Sequence, residues 1–127
     1  MPIKYKVVER GNPSDPEAPK KFYPSIQSNG RMTLRQLATR ITQISTVGSG
    51  DALNVLECML TIIPEELAEG RIVELGDFGS FWLRTRSEGV EEADKANANS
   101  LTTVQPRFNS GAEFKKALDH AKYVKVQ

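Results

Sequence analysis

Cysteine, histidine and long hydrophobic runs are scarce in this sequence, and each scarcity excludes a class of protein. The 127 residues contain one cysteine, Cys58, and one histidine, His120. A single cysteine forms neither an internal disulfide nor a cysteine-rich zinc site. Without a second histidine there is no nucleophile–base pair or metal constellation, so we expect neither an enzyme nor a cofactor. Cys58 lies among apolar residues, which predicts a buried structural thiol, and His120 is expected at the surface.

The chain also lacks the sequence features of a membrane or exported protein. No apolar run approaches the roughly 20 residues that a membrane-spanning helix needs. The first residues, 1–5, contain no apolar signal-peptide region. The composition, 39% hydrophobic and 26% charged, is typical of a soluble globular chain of about one domain. We therefore expect a cytoplasmic protein.

A net charge of +1 hides an uneven distribution of charge along the chain. Residues 1–34 carry six basic and three acidic side chains, whereas residues 35–83 carry three basic and seven acidic ones. Residues 84–107 are balanced, and residues 108–127 carry four basic and two acidic side chains. The folded protein could present a basic and an acidic face, or these charges could simply solvate its surface.

The first 31 residues predict strands and a loop. Residues 3–8 alternate apolar and basic side chains, which favours a strand with one solvated face. Three prolines within residues 11–20 predict a loop, and residues 22–26 predict a short edge strand. We expect this segment to add to the fold, because its patterned aromatic residues would serve nothing in a disordered tail.

Two helices follow. Thr33 is a suitable N-cap for a helix with apolar residues spaced over 34–44. A second helix starts near Ser49 or Asp51 and ends at Gly70, with Pro64 interrupting its pattern. Its two apolar stripes cover much of its circumference, so it must be buried on more than one side. In so short a chain, a second subunit is the expected cover.

The second half of the chain predicts a hairpin and a last helix. Residues 71–75 and 78–86 read as strands joined by a turn at residues 76–77, and residues 87–99 as a loop or arm tip. Residues 101–105 are typical of a strand, which Pro106 confines to an edge or a bend. Asn109 or Ser110 is the expected cap of a helix that contains Phe114.

Two motifs in this half are Gly-Asp-Phe-Gly-Ser-Phe at residues 76–81 and residues 104–111 followed by Phe114 and Lys115. Together they resemble the HU/IHF family of bacterial histone-like DNA-binding proteins. Residues 76–81, Gly-Asp-Phe-Gly-Ser-Phe, are similar to the family's glycine–phenylalanine turn. Residues 104–111 with Phe114 and Lys115 resemble the segment in which its returning strand meets the last helix. The resemblance implies an α+β fold, an intertwined homodimer, with a two-helix dimerisation unit, a β-hairpin bearing an extended arm and a short C-terminal helix.

The same resemblance implies how the chain is divided and what it does. Residues 32–127 would form the HU-like domain, and residues 1–31 look like the extension of HU-related proteins from Bacteroides-type bacteria. The function implied is sequence-tolerant, nucleoid-associated binding of double-stranded DNA through its minor groove or its backbone. No membrane or small-molecule partner is expected.

The resemblance also yields candidate residues. Arg86 matches an arginine at the base of the arm, Arg84 a basic position beside it, and Lys115 a basic residue of the last helix. Trp82 is predicted either to be a platform against the DNA backbone or to belong to an amphipathic strand packed under the N-terminal extension. The expected DNA-binding set is Trp82, Arg84, Arg86, Lys95, Arg107, Lys115 and Lys116. The expected dimer interface is Leu53, Leu56, Met59, Leu60, Ile63, Phe78 and Phe81.

The arm departs from the family pattern. Family arms are rich in basic residues and carry a proline that wedges between base pairs, but here no proline lies between Trp82 and Gln105. Glu91, Glu92 and Asp94 would instead bring carboxylates towards phosphates. We therefore expect weaker DNA binding that depends on the arm base. The alternative function is a structural or interaction dimer of the same fold with weak or lost DNA binding.

Overall fold

The structure is a computed structural model that describes residues 1–87, 89, 93 and 101–126. The chain divides into two compact units. The terminal unit comprises residues 1–33 and 117–127, and the central unit comprises residues 34–116. The predicted mixed α+β architecture is confirmed. Among the described residues, no helix has both the length and the apolar character that a membrane crossing requires.

The terminal unit is built on a three-stranded sheet. Strand β1 spans Ile3–Arg10 and β2 spans Lys21–Gln27, as the alternating pattern and the intervening prolines predict. The sheet order is β2-β1-β6, where β6 is the short strand Tyr123–Lys125. The β1–β2 pair is antiparallel and the β1–β6 pair is parallel. Strand β1 is therefore central, and the predicted edge position of β2 is confirmed.

The end of the chain is held to its beginning by backbone hydrogen bonds. The Ile3 amide donates to the Lys122 carbonyl at 2.7 Å, and the Val126 amide donates to the Tyr5 carbonyl at 2.7 Å. No local pattern predicts this pairing, because the partners come from opposite ends of the sequence. The proposed division at residue 32 stays a prediction; the pairing groups residues 117–127 with the N-terminal strands.

Two helices form the first half of the central unit. Helix α1 spans Leu34–Ile44 and α2 spans Ser49–Ala68, as their helical spacing predicts. Pro64 lies inside α2, and the helix continues past it to Ala68. Gly70, at φ 83°, then ends the helix: its amide donates to the Leu67 carbonyl, and the Arg71 amide donates to the Glu66 carbonyl. This Schellman arrangement satisfies two carbonyls at the helix end.

The second half of the central unit is the hairpin and the first part of the last helix, whose residues 117–119 belong to the terminal unit. Strand β3, Val73–Glu74, pairs with β4, Gly79–Ser87, and β4 pairs with β5, Leu101–Ser110, all antiparallel. One 3₁₀ turn at Gly76–Phe78 joins β3 to β4, so Phe78 lies in the turn rather than in the strand as predicted. Helix α3 spans Ala112–Asp119.

Strand β5 is longer than its sequence predicts. Pro106 predicts an edge or a bend, and the edge position is confirmed, because β5 is the last strand of its sheet. On an edge strand the missing amide removes no ladder bond, so pairing continues to Ser110. Asn109 and Ser110 are consequently the last residues of β5. Their prediction as helix caps is wrong, because both are engaged in the ladder with β4 and α3 starts after Gly111.

An aromatic cluster ties the turn to β5 and α3. The Phe78 ring lies 4.8 Å from that of Phe114 and 5.5 Å from that of Phe108, between ring centroids. Phe108 also contacts Phe81, its cross-strand partner, at 4.8 Å. The tilted ring arrangements are the favourable ones for aromatic pairs. The cluster therefore fixes the start of α3 against the base of the hairpin.

Two glycines permit the backbone to approach closely at this base. A Cβ atom on Gly79 would clash with the Asn109 carbonyl oxygen and lie 2.7 Å from the Phe108 ring, and Gly79 has φ 144°. A Cβ atom on Gly111 would clash with the Asp77 carbonyl group. The Gly111 amide donates to the Phe78 carbonyl at 2.9 Å. Both positions therefore require glycine.

Replacing Gly79 tests the importance of this close approach. We expect Gly79→Ala to destabilise the protein by about 2–4 kcal/mol, since it adds backbone strain and overpacking. Gly50→Ala is the matched control, because its added Cβ meets no atom within 4 Å and it lies in α2. The control should be neutral or stabilising by up to about 1 kcal/mol. Urea unfolding at one protein concentration measures both; equal effects would contradict the expectation.

Removing residues 1–31 tests their contribution to the fold. We expect the deletion to expose the Val126 amide to hydrogen exchange, because its acceptor, the Tyr5 carbonyl, is lost. The Gly111 amide is the internal control, since its acceptor belongs to Phe78. Residue-resolved hydrogen exchange of the full chain and the deletion gives the comparison. Unchanged protection at Val126 would show that the extension does not hold the C-terminal strand.

Candidate functional site

The antiparallel register of β4 and β5 divides the hairpin into two faces of opposite chemistry. Trp82 pairs with Arg107, and Arg84 pairs with Gln105. Since cross-strand partners point to the same side and neighbours to opposite sides, all four share one face. We call this the basic hairpin face; it consists of Trp82, Arg84, Arg86, Thr103, Gln105 and Arg107.

Three arginines converge on the basic hairpin face. Arg84, Arg86 and Arg107 line one small surface depression, of about 30 Å³. All three are exposed, and neither Arg84 nor Arg107 forms an ion pair with the described residues. Guanidinium groups in such a cluster repel one another and offer several donors to an anion. The arrangement is therefore suited to binding phosphate oxygens.

Trp82 is half-buried at one end of this face. Its indole Nε1 atom is buried and has no hydrogen-bond partner among the described residues. A buried donor of this kind costs about 1–3 kcal/mol. The indole N–H does not reach solvent, so a DNA-facing role for Trp82 would depend on the ring. Both predictions for this residue stay open.

The other predicted DNA-binding residues are placed differently. Lys115 and Lys116 are exposed on α3, whose first turns are held at the hairpin base by Phe114. The Lys116 ammonium lies 3.6 Å from a Glu113 carboxylate oxygen, whereas Lys115 forms no ion pair with the described residues. Lys95 lies outside the described residues, and so do the arm acids Glu91, Glu92 and Asp94.

The opposite face of the hairpin is apolar and faces α2 across an open groove. The groove has a volume of about 460 Å³. Its hairpin wall includes Val104 and Pro106 of β5, and its helical wall includes Pro64. Of the predicted interface residues, it is lined by Met59, Leu60, Ile63 and Phe81. Sequence reasoning missed Val104 and Pro106, although the strict apolar–polar alternation through Pro106 is the signal that could have identified them.

The remaining predicted interface residues flank this groove. Leu53 and Leu56 are half-buried on α2, and Phe78 is 48% exposed in the aromatic cluster. Leu60 itself is 60% exposed, and Val55, also on α2, is 58% exposed. The only buried hydrophobic residues in the described part of the chain are Ala38, Ala52 and Leu67. The central unit therefore leaves several large apolar side chains of α2 exposed.

The two residue types that are scarce in the sequence lie at the surface. Cys58 is exposed beside Thr61 and Ile62 on α2. The prediction of a buried thiol is thus wrong for the single chain, because no described residue covers this part of α2. His120 is exposed, as expected. The described part of the chain contains no cluster of three or more His, Cys, Asp or Glu side chains placed to hold a metal ion.

Comparison with protein families identifies the fold. The profile of the HU-HIG family, an HU domain fused to a wHTH, Ig, or glycine-rich motif, matches residues 1–125. The integration host factor subunit beta of Paraburkholderia xenovorans strain LB400 is 34% identical over 86 residues, which cover 66% of this chain and 78% of that protein. The same subunit of Paraburkholderia phymatum is 33% identical over 86 residues, with the same coverage.

Two solved structures share the fold. HU of Anabaena, crystallised with DNA, superposes with a TM-score of 0.55 at 26% identity, over 70% of this chain and 99% of that one. A protein of Bacteroides vulgatus ATCC 8482 superposes with a TM-score of 0.65 at 15% identity over 98% of this chain. This chain spans only 47% of that second protein, which is therefore about twice as long.

These likenesses agree with the hairpin, helices and terminal sheet described above. The alignment with HU covers nearly all of the HU chain but only 70% of this chain. The family profile covers the N-terminal strands as well. The chain therefore belongs to the HU-HIG family and, through its HU domain, to the HU/IHF group of bacterial histone-like DNA-binding proteins.

Proposed function

We propose that this protein is a sequence-tolerant, nucleoid-associated architectural protein that binds double-stranded DNA as a homodimer. The observation that carries the proposal is the convergence of Arg84, Arg86 and Arg107 on one hairpin face, opposite an apolar face turned towards α2. The relatives named integration host factor and the HU–DNA structure support the choice of DNA as partner.

The basic hairpin face would act through the phosphate backbone. Guanidinium groups at the arm base bind phosphate oxygens and release condensed counterions, which gives affinity that depends on salt but little on sequence. Gln105 and Thr103, on the same face, can hydrogen-bond sugar or base edges. Lys115 would add a further phosphate contact from α3. Lys95 and Lys116 are included in the proposed DNA-binding set on the basis of the sequence alone.

The homodimer follows from the uncovered apolar surface. Leu60 and Val55 are more than half exposed, and an open apolar groove lies between α2 and the hairpin. Monomeric proteins rarely expose such a patch, and a second copy of the same face would bury it. The proposed interface contains Leu53, Leu56, Met59, Leu60, Ile63, Phe78 and Phe81.

The proposal assigns the chain no catalytic step and no cofactor. The groups gathered on the basic hairpin face are cations and amide or hydroxyl groups, which bind phosphate but form no nucleophile–base pair. We place the protein in the nucleoid, within the cytoplasm, because that is where its proposed ligand lies.

The dimer is tested by placing a charge in the groove. We expect Leu60→Glu to dissociate the dimer, since an uncompensated buried charge costs about 3–5 kcal/mol. Gln43→Glu is the matched control, because it adds the same charge at an exposed polar position of α1. Light scattering at micromolar concentration should show a dimer for the wild type and the control. A stable, folded wild-type monomer would reject the dimer.

The DNA-binding surface is tested by removing two of its arginines. We expect Arg84→Ala/Arg86→Ala to lose most of its binding to linear duplex DNA and to lower the logarithmic salt slope by about two, one per lost phosphate contact. The control Arg35→Ala/Arg40→Ala removes the same charge from α1 and should change the slope little. Fluorescence anisotropy at several salt concentrations gives both affinities. Equal losses in the two variants would contradict this assignment.

The same titration examines the acidic arm. A triple alanine variant of Glu91, Glu92 and Asp94 should bind as well as the wild type or better, because it removes carboxylates that repel the DNA phosphates.

Fluorescence-detected bending of the DNA should show no sharp kink with the wild type, which lacks the wedging proline. Absence of binding by every variant and the wild type at low salt would favour the structural or interaction dimer.

A further inference from the structure

The terminal unit holds the excess of positive charge in this protein. Its described acidic side chains are fewer than its basic ones. The acids are Glu9, Asp15, Glu17 and Asp119. The bases are Lys4, Lys6, Arg10, Lys20, Lys21, Arg31, Lys122 and Lys125. A net charge of +4 therefore sits on a unit that the proposed function does not use.

The strand register gathers half of these cations on one face of the sheet. Lys4, Lys6 and Arg10 lie an even number of residues apart in β1, with Val8 between Lys6 and Arg10, so their side chains leave the same side. Lys21 joins them, because it is the cross-strand partner of Arg10. All four are exposed. We call this set the cation row; from Lys4 to Arg10 it extends about 20 Å along the strand.

Nothing in the described chain neutralises the cation row. None of its four members forms an ion pair with a described residue. Arg10 and Lys21 stand directly opposite each other, and like charges in that position destabilise a sheet. This pair is unfavourable in the free protein. A bound polyanion would offset the repulsion, because its phosphates would attract both cations.

The row ends at a cavity with ordered walls. Arg10, Lys21 and Tyr23 line a cavity of about 490 Å³ with the loop that joins β1 to β2. That loop is held by its own side chains: the Ser14 amide donates to Asn12 Oδ1 at 2.9 Å, and the Glu17 amide donates to Asp15 Oδ1 at 3.2 Å. The two cations thus border a built concave surface large enough for a phosphate and its sugar.

The two faces of the sheet point to duplex DNA as the polyanion. Exposed rings lie on the face opposite the cation row: Phe22 is 68% exposed and Tyr123 is 63% exposed. They pair with Glu9 and Ile3 of β1, which alternate with the lysines of the row and therefore point to the other face. A membrane surface or an unstacked single strand would be met by cations and apolar rings on one face. The face of the cation row carries a single ring, Tyr23, which pairs with Val8, and this arrangement suits a phosphate backbone.

We propose that the terminal unit carries a second DNA-binding surface, the cation row, which contacts the phosphate backbone of duplex DNA independently of the basic hairpin face. A row of about 20 Å matches roughly six base pairs of one strand. The choice of DNA rests on the proposed function; the site itself rests on the register, the unpaired cations and the cavity.

A pair of charge-matched variants tests the cation row. The row variant carries Lys4→Gln, Lys6→Gln, Arg10→Gln and Lys21→Gln. The control removes the same charge from the same unit but outside the row: Lys20→Gln, Arg31→Gln, Lys122→Gln and Lys125→Gln. Titration of a 20-base-pair duplex by anisotropy between 50 and 200 mM salt should lower the logarithmic salt slope by about 3.6 in the row variant. The control should lower it by about one or less.

The outcomes separate this proposal from the hairpin assignment. If the row variant and its control change the slope equally, or neither changes it, the cation row is not a DNA site. If the row variant lowers the slope and Arg84→Ala/Arg86→Ala does not, the row stands and the hairpin assignment fails. If only the arginine variant lowers the slope, the cation row is rejected as a DNA site and the hairpin assignment stands. No wild-type binding at 50 mM salt overturns both.

A measurement on the unaltered protein covers the case in which the row variant misfolds. Lysine acetylation of the wild type, read by mass spectrometry with and without duplex, should show DNA protecting Lys4, Lys6 and Lys21 several-fold. Lys125 is the internal control, because its pairing with Tyr5 places it on the opposite face. Equal protection of Lys125, or no protection of the row, would contradict the proposal.

Discussion

The antiparallel register between β4 and β5 is the constraint on which the central unit depends. A slip of β4 by one residue would move all of its side chains to the other face. Arg84 would then point at α2, and Leu83 would point to solvent. The register is held at the hairpin base, where Gly79 and Gly111 allow a close backbone approach and the phenylalanine cluster locks β5 and α3. A structural requirement at the base thus sets the chemistry of the face.

The central unit is built around a surface that it does not bury. Its described hydrophobic core consists of two alanines and one leucine, while large side chains of α2 remain exposed. Burial of such side chains supplies most of the free energy that stabilises a small fold. Folding and association are therefore coupled in the proposed dimer, and its stability would depend on protein concentration.

The near-neutral net charge of the chain results from two opposed distributions. The terminal unit is basic, whereas the central unit carries an acidic excess and concentrates its arginines at the arm base. Each proposed DNA surface lies on a sheet face, where alternation gathers like charges that are distant in sequence. A protein of this kind can bind a polyanion locally while its total charge stays near zero.

Some features were decided by the sequence alone because they depend on neighbouring residues. The helical spacing of apolar residues in α1 and α2 and the alternation in β1 and β4 identify those elements and their faces, and the glycine–phenylalanine motifs identify the family. The sequence also places Arg84 and Arg86 on one face, because residues two apart in a strand point to the same side by local geometry.

Only the tertiary structure decided the features that join distant residues. The return of β6 to β1, the ladder role of Asn109, and the meeting of Arg10 with Lys21 all depend on register between separate segments. The same holds for the groove wall formed by Val104 and Pro106, and for the exposure of Cys58. Periodicity tells which side of an element is apolar, but which partner covers that side is set by pairing and packing across the whole chain.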